Sequence, residues 1–310
     1  MFNSDRKKAF DKLRILTKDL CLDLTGINKR VCYYIEDVLR LIKKEIGLHK
    51  IRSIFLFGSQ IPQNSEESNI SDCDLLIIFD NDVSKKSIQH LEKFFISLEI
   101  KHNFRDEDSS FMKKLLGDIQ YHTGIFKSHF FSTEKSWKRG KFHKIFNVNY
   151  LFSKLLAPKR LVLGSVIKNS NLLYGEDLRG KIEDKIKITS FDITKSLIMN
   201  SLLSFFSFII APFESLSSIK YQLEAVKWSL RASDYYLFES TDTLVRVINR
   251  IKILKKTNYK QNDQEFYKKF IFLRNHPRSA YIFMFKSFLK IFKIHLTAIH
   301  YKKELRDFRT

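Results

Sequence analysis

Ile51-Arg52-Ser53-Ile54-Phe55-Leu56-Phe57-Gly58-Ser59, then twelve residues, then Asp72-Cys73-Asp74-Leu75-Leu76-Ile77-Ile78-Phe79: two short apolar runs flank a polar spacer. Each run is rich in β-branched and aromatic residues, the composition of a strand buried on at least one face. The spacer, Gly58 to Ser71, is rich in Ser, Asn, Gln and Glu and holds Pro62, so it reads as a surface loop. Residues two apart on a strand point the same way, so Asp72 and Asp74 are predicted to project their carboxylates together. Two such carboxylates repel unless a cation lies between them, and hard oxygen ligands suit Mg²⁺ (or Mn²⁺) that also touches phosphate. Gly58 lets the chain turn sharply and lets a phosphate approach the backbone; Ser59 offers a hydroxyl donor. The candidate set is therefore Asp72 and Asp74 for metal and catalysis, and Gly58 and Ser59 for nucleotide binding.

Working outward, residues 4 to 47 read as two helices: Phe10, Leu13, Leu16 and Leu20 share one side of the first, and Val31, Ile35, Val38, Leu39 and Ile42 one side of the second. Ser84 to about His102 is helical, and a shorter helix is predicted near Phe111 to Leu116. Thr123 to Ser132 reads as a third strand, with Ile125, Lys127, His129 and Phe131 on one face. Ser136 to Lys168 is mostly helical and basic, and Leu172 to Gly175 is a short edge strand or turn. After Gly180 no strand is predicted. Helices near 183 to 210, 216 to 238, 241 to 256, 263 to 274 and 278 to 305 make an all-α second domain. The expected architecture is an α/β palm, a mixed β-sheet with flanking helices over 1 to 180, followed by an all-α helical domain over 181 to 310.

The decisive stretch resembles the DNA polymerase β-like nucleotidyltransferase superfamily, whose signature is an apolar strand, Gly-Gly or Gly-Ser, a spacer, and Asp-x-Asp between apolar residues. Phe55 to Ser59 and Asp72 to Ile77 fit it, and Leu173-Tyr174-Gly175-Glu176-Asp177-Leu178 resembles the segment after the palm in small bacterial and archaeal members. The resemblance implies transfer of a nucleoside monophosphate from a nucleoside triphosphate to a hydroxyl, with release of pyrophosphate. The acceptor stays open: small molecule, protein side chain or RNA end. Most active members add a third carboxylate from a neighbouring strand. Thr123 to Ser132 has none, and Lys127, Ser128 and His129 occupy its middle; Glu99, Asp118 and Glu134 are acids nearby in sequence. An inactive nucleotide- or RNA-binding module is thus the alternative.

Composition bounds the rest. Across 310 residues, 44% hydrophobic and 29% charged, the chain has the balance of a folded protein. A net charge of +21 favours phosphate-rich partners. Residues 181 to 310 hold 24 Lys and Arg against 12 Asp and Glu, so nucleic-acid contact is assigned to the basic helical domain. Cys21, Cys32 and Cys73 lie too far apart for a zinc site, which with the absence of an apolar leader points to the cytoplasm. Ser196 to Phe213 has no charged residue and nearly the length of a membrane span. Its Ser196, Asn200, Ser201, Ser204 and Ser207 favour a core helix of the bundle, and no membrane partner is expected.

Overall fold

The structure, a computed structural model, describes residues 22–61, 73–104, 122–124, 127–213, 215–240, 242–254 and 261–307. The first helix and the one near Phe111 to Leu116 lie outside the described residues, as do most of the spacer loop and Asp72.

α1, Lys29–Glu45, starts where the Asn28 side chain accepts from the Arg30 N–H at 2.9 Å and presents Val31, Ile35, Val38, Leu39 and Ile42 as one buried stripe. β1, Ile51–Phe57, and β2, Asp74–Phe79, then pair antiparallel with Phe57 opposite Asp74. α2, Lys85–Lys101, is capped by Ser84, whose Oγ accepts from the Ser87 N–H at 3.0 Å. β3, His129–Thr133, lies parallel to β2, and β4, Ser170–Gly175, antiparallel to β1. The order β3-β2-β1-β4 makes a mixed four-stranded sheet, with helices flanking it and a helical region after it.

The pleat sorts the strands into two faces. Ile54, Leu56, Leu75, Ile77, Phe79 and Phe131 pack against α1 and α2 in one core, each large side chain worth about 1.5–3 kcal/mol of apolar burial. On the other face Phe55 stacks on Trp137 at 6.1 Å and Phe57 meets Phe130 at 5.9 Å. Trp137, on the short helix α3 (Glu134–Lys138), donates its indole N–H to the Leu178 carbonyl at 2.8 Å. Gly175, at φ +85°, closes β4 so tightly on β1 that a Cβ there would stand 1.9 Å from the Arg52 carbonyl oxygen.

The third strand is shorter than the predicted Thr123 to Ser132. Residues 122 and 123 are helical, Gly124 turns at φ +68°, and extended pairing starts only at His129. Alternation itself holds from there, since His129 and Phe131 share the face of Leu75 and Ile77.

The compact units divide the chain differently from a cut at 180. The sheet unit comprises Met1–Asn149 and Asn169–Lys185, with the short helices α3 and α4 (Phe142–Ile145); the helical unit comprises Tyr150–Lys168 and Ile186–Thr310. A linear cut misses this because β4 returns to the sheet after α5 (Tyr150–Leu155) and α6 (Lys159–Lys168) have joined the other unit. After α7, Gly180–Glu183, in the sheet unit, the helical unit continues with α8 (Ser190–Ile210), α9 (Ser215–Phe238), α10 (Leu244–Leu254), α11 (Gln261–Asn275) and α12 (Tyr281–Asp307). α9 is its centre, with α6, α8, α10, α11 and α12 packed on it.

α8 departs from the expected core helix. It buries Ser196, Asn200, Ser204 and Ser207 and exposes Ile198, Leu202, Phe205 and Ile209. The reason is hydrogen bonding. Gln222 of α9 donates to Ser204 Oγ at 2.7 Å and accepts from Ser207, and Asn200 donates to Ser196 at 3.2 Å. His295 of α12 completes the set, its Nε2 lying 3.1 Å from Ser196 Oγ and its Nδ1 2.9 Å from the Ile291 carbonyl. A carbonyl neighbour requires the proton on Nδ1, so Nε2 accepts from Ser196. Burial pushes His295 down to about 4, and it stays neutral.

Candidate functional site

β1 ends at Phe57 and β2 opens at Asp74, directly opposite in register, so the Gly58 turn and the Asp74 carboxylate meet at one end of the sheet. Gly58 has φ +81°, which side chains rarely adopt. Space forbids a side chain as well, since a Cβ on Gly58 would sit 2.1 Å from Asp74 Oδ2. The carboxylate thus lies in the cradle left by the missing Cβ. Gly58–Gln60 forms one 3₁₀ turn, in which Gly58 and Ser59 are half-buried, and Asp74 keeps partial exposure at the mouth of the strand pair. Behind it Cys73 is buried outside any disulfide, and Ile61 is buried in the core shared by α1 and α2.

Gly58, Ser59 and Asp74 are therefore brought together. Asp72 falls outside the described residues. Among the described residues no group of three or more His, Cys, Asp or Glu converges on a point. What they contribute to a cation is one hard oxygen donor, partly exposed and fixed by a glycine cradle, a fit for Mg²⁺ or Mn²⁺ completed by further oxygens.

The neighbouring strand supplies no acid. Leu75 is opposite His129 and its N–H donates to the Ser128 carbonyl at 2.7 Å, so Ser128 stands beside Asp74 where a third carboxylate is expected. His129 shares the face of Leu75, and its Nδ1 meets Glu99 of α2, which also accepts from Ser128 Oγ. Lys127 pairs with Glu92 of α2. Each is engaged from α2, with His129 only 2% exposed. Glu99, equally buried, lies on α2 and reaches Ser128, the residue beside Asp74, as well as His129. Glu134 is at the far end of the strands, where Lys138 beside it, with Arg52 nearby, holds its carboxyl below the usual range. Asp118 is outside the described residues.

Leu173 to Leu178 has a structural task. Ser53 Oγ donates to the Glu176 carbonyl, and Arg179 grips Asp177 at 2.6 Å, keeping that carboxyl below its usual range. Sequence reasoning did not identify Arg179, which donates to the Ser170 carbonyl at 2.7 Å and lies 5.9 Å over the Phe55 ring. Its only sequence signal is its place two residues after Asp177.

No family model and no curated protein matches the chain. Among solved structures, a spectinomycin adenyltransferase from Enterococcus faecialis, crystallised with ATP and spectinomycin, is similar at a TM-score of 0.48 and 10% identity, over 86% of this chain and 98% of that one. A likeness this distant does not bear on activity or substrate.

Proposed function

We propose that the protein is a cytoplasmic metal-dependent nucleotidyltransferase, moving a nucleoside monophosphate from a nucleoside triphosphate to a hydroxyl acceptor and releasing pyrophosphate. The observation that carries this reading is the fit of the Asp74 carboxylate into the space that a Cβ on Gly58 would fill, with Phe57 and Asp74 opposite each other at the strand ends. A glycine forced by both φ and contact, next to a partly exposed strand-end carboxylate, is a device for bringing a phosphate chain close to backbone N–H groups.

In this reading Asp74, joined by Asp72, holds Mg²⁺ or Mn²⁺, which when bound neutralises charge on the triphosphate. The Gly58 turn and the Ser59 hydroxyl orient the β- and γ-phosphates. The acceptor hydroxyl oxygen attacks the α-phosphorus and gives up its proton to solvent, the bond from the α-phosphorus to the α–β bridging oxygen breaks, and pyrophosphate leaves in line with that oxygen. The basic helices of the second unit select the acceptor.

One observation favours a second reading, in which the chain binds nucleotide or RNA without turnover: Ser128, the residue before β3, and not an acid, stands beside Asp74. Label transfer from each α-³²P nucleoside triphosphate with Mg²⁺ separates the two, using the protein itself, total RNA and a small-molecule extract as acceptors. Label that requires Asp74, tested with Asp74→Asn, supports the transferase and names its acceptor class. Nucleotide binding without transfer under every condition assigns the chain to the second reading.

A further inference from the structure

α8 and α12 pack antiparallel, for Ser196 meets His295 while Ile193, three residues earlier, shares a cluster with Ala298, three residues later. α9 covers both from within. Their outer sides are apolar: Leu202, Phe205 and Ile209 on α8 and Phe285, Leu289 and Phe292 on α12 are 36% to 63% exposed. Spacings of three and four place each set along one line of its helix. Scattered exposed apolar residues need no explanation, but two aligned rows on adjacent helices mark a contact surface.

The charge around the rows selects the partner. Lys286 and Lys293 are exposed on α12, whose first acid is Glu304. The sole acid of α8, Asp192, is buried against Arg160 and Thr189. A second copy would bring this cationic apolar face against its equivalent with no carboxylate to meet the lysines. An anionic bilayer offers apolar chains to the rows and negative headgroups to the ammonium groups. We propose that the outer face of α8 and α12 lies on the surface of an anionic phospholipid membrane. α8 lies in the plane and does not cross, although it is the described helix long and apolar enough to do so. Gln222 bonds its inner face, and α9 carries Lys220, Glu224, Lys227, Arg231 and Asp234 beside it.

Flotation of the full chain with phosphatidylcholine vesicles, with and without phosphatidylserine, tests this. The native chain is expected to float only with phosphatidylserine. Phe205→Ser with Leu289→Ser, both at exposed positions, should weaken partition at least about tenfold per residue. Lys286→Gln with Lys293→Gln should weaken it about fivefold per lysine, an effect mimicked by salt. No flotation of the native chain, or flotation indifferent to the Phe205 and Leu289 changes, overturns the proposal. A native dimer in light scattering that those changes dissociate, with no flotation, gives the face to a second copy.

Discussion

The strands of the sheet unit and helix α8 of the helical unit place apolar side chains differently. In the sheet unit apolar residues such as Leu76 and Ile77 are fully buried, and the described carboxylate of the candidate site lies partly exposed at a strand end. In the helical unit α8 buries serines and an asparagine and exposes Leu202, Phe205 and Ile209. Strand pairing satisfies the backbone of the sheet, and most of what its strands bury is apolar, with Ser53 and His129 bonded where they are buried. Helices satisfy their own backbone, so side chains are free to pair inward wherever partners such as Gln222 and His295 meet them.

The largest expected effect sharpens the chemical side of this contrast. Asp74→Asn should lower nucleotide transfer roughly a thousandfold while leaving the melting curve unchanged, because the residue sits at a strand mouth and not in the core. A parallel loss of stability would show Asp74 to be structural. Gly58→Ala should also abolish transfer, since its Cβ displaces the Asp74 carboxylate, and it should lower stability as well because alanine is strained at φ +81°.

Next comes burial itself. Leu76→Ala should cost about 2–5 kcal/mol in denaturant unfolding, whereas Leu202→Ala should change stability by no more than about 0.5 kcal/mol, although both residues are leucines in apolar runs. Equal losses would mean that the outer face of α8 is covered. Gly175→Ala, whose Cβ would strike backbone at the Arg52 carbonyl, should cost roughly 3 kcal/mol, more than Gly58→Ala, whose Cβ meets the end of a side chain.

The last effect is a pH dependence of the helical unit. His295 has its folded value depressed to about 4 from 6.5, so the unfolded chain takes up the proton first as pH falls. Its contribution is present above 6.5 and is lost as pH falls toward 4, about 2 kcal/mol between pH 7 and 5. Asp234, pushed up to about 6 by burial against the pull of Arg250, runs the other way: its protonated form favours the folded state below 6. Comparing the native chain with His295→Gln at the two pH values isolates the histidine; an unchanged pH dependence would show that the inward polar face does not resist protonation.

The sheet unit was legible because its signals are local. The apolar runs Ile51 to Phe57 and Cys73 to Phe79, the stripe of α1, and the helical pattern from Ser84 each depend on neighbours within a few residues. The five long helices after residue 183 were legible for the same reason. The start of β3 was not, because strand pairing begins only at His129 while the strand-like pattern runs on from Thr123. The unit boundary was equally hidden, because β4 finds its partner, β1, more than a hundred residues back along the chain.

By itself the sequence determined which segments are strands and helices, and that glycine and aspartate stand at their junctions, since torsional preference and periodicity are local properties. Tertiary structure decided that Gly58 lies against Asp74 with Ser128 beside it, that Lys127 and His129 turn to the acids of α2, and that α8 faces its serines inward. Those outcomes depend on which distant group arrives as a hydrogen-bond partner or a steric neighbour, and no spacing along the chain encodes that arrival.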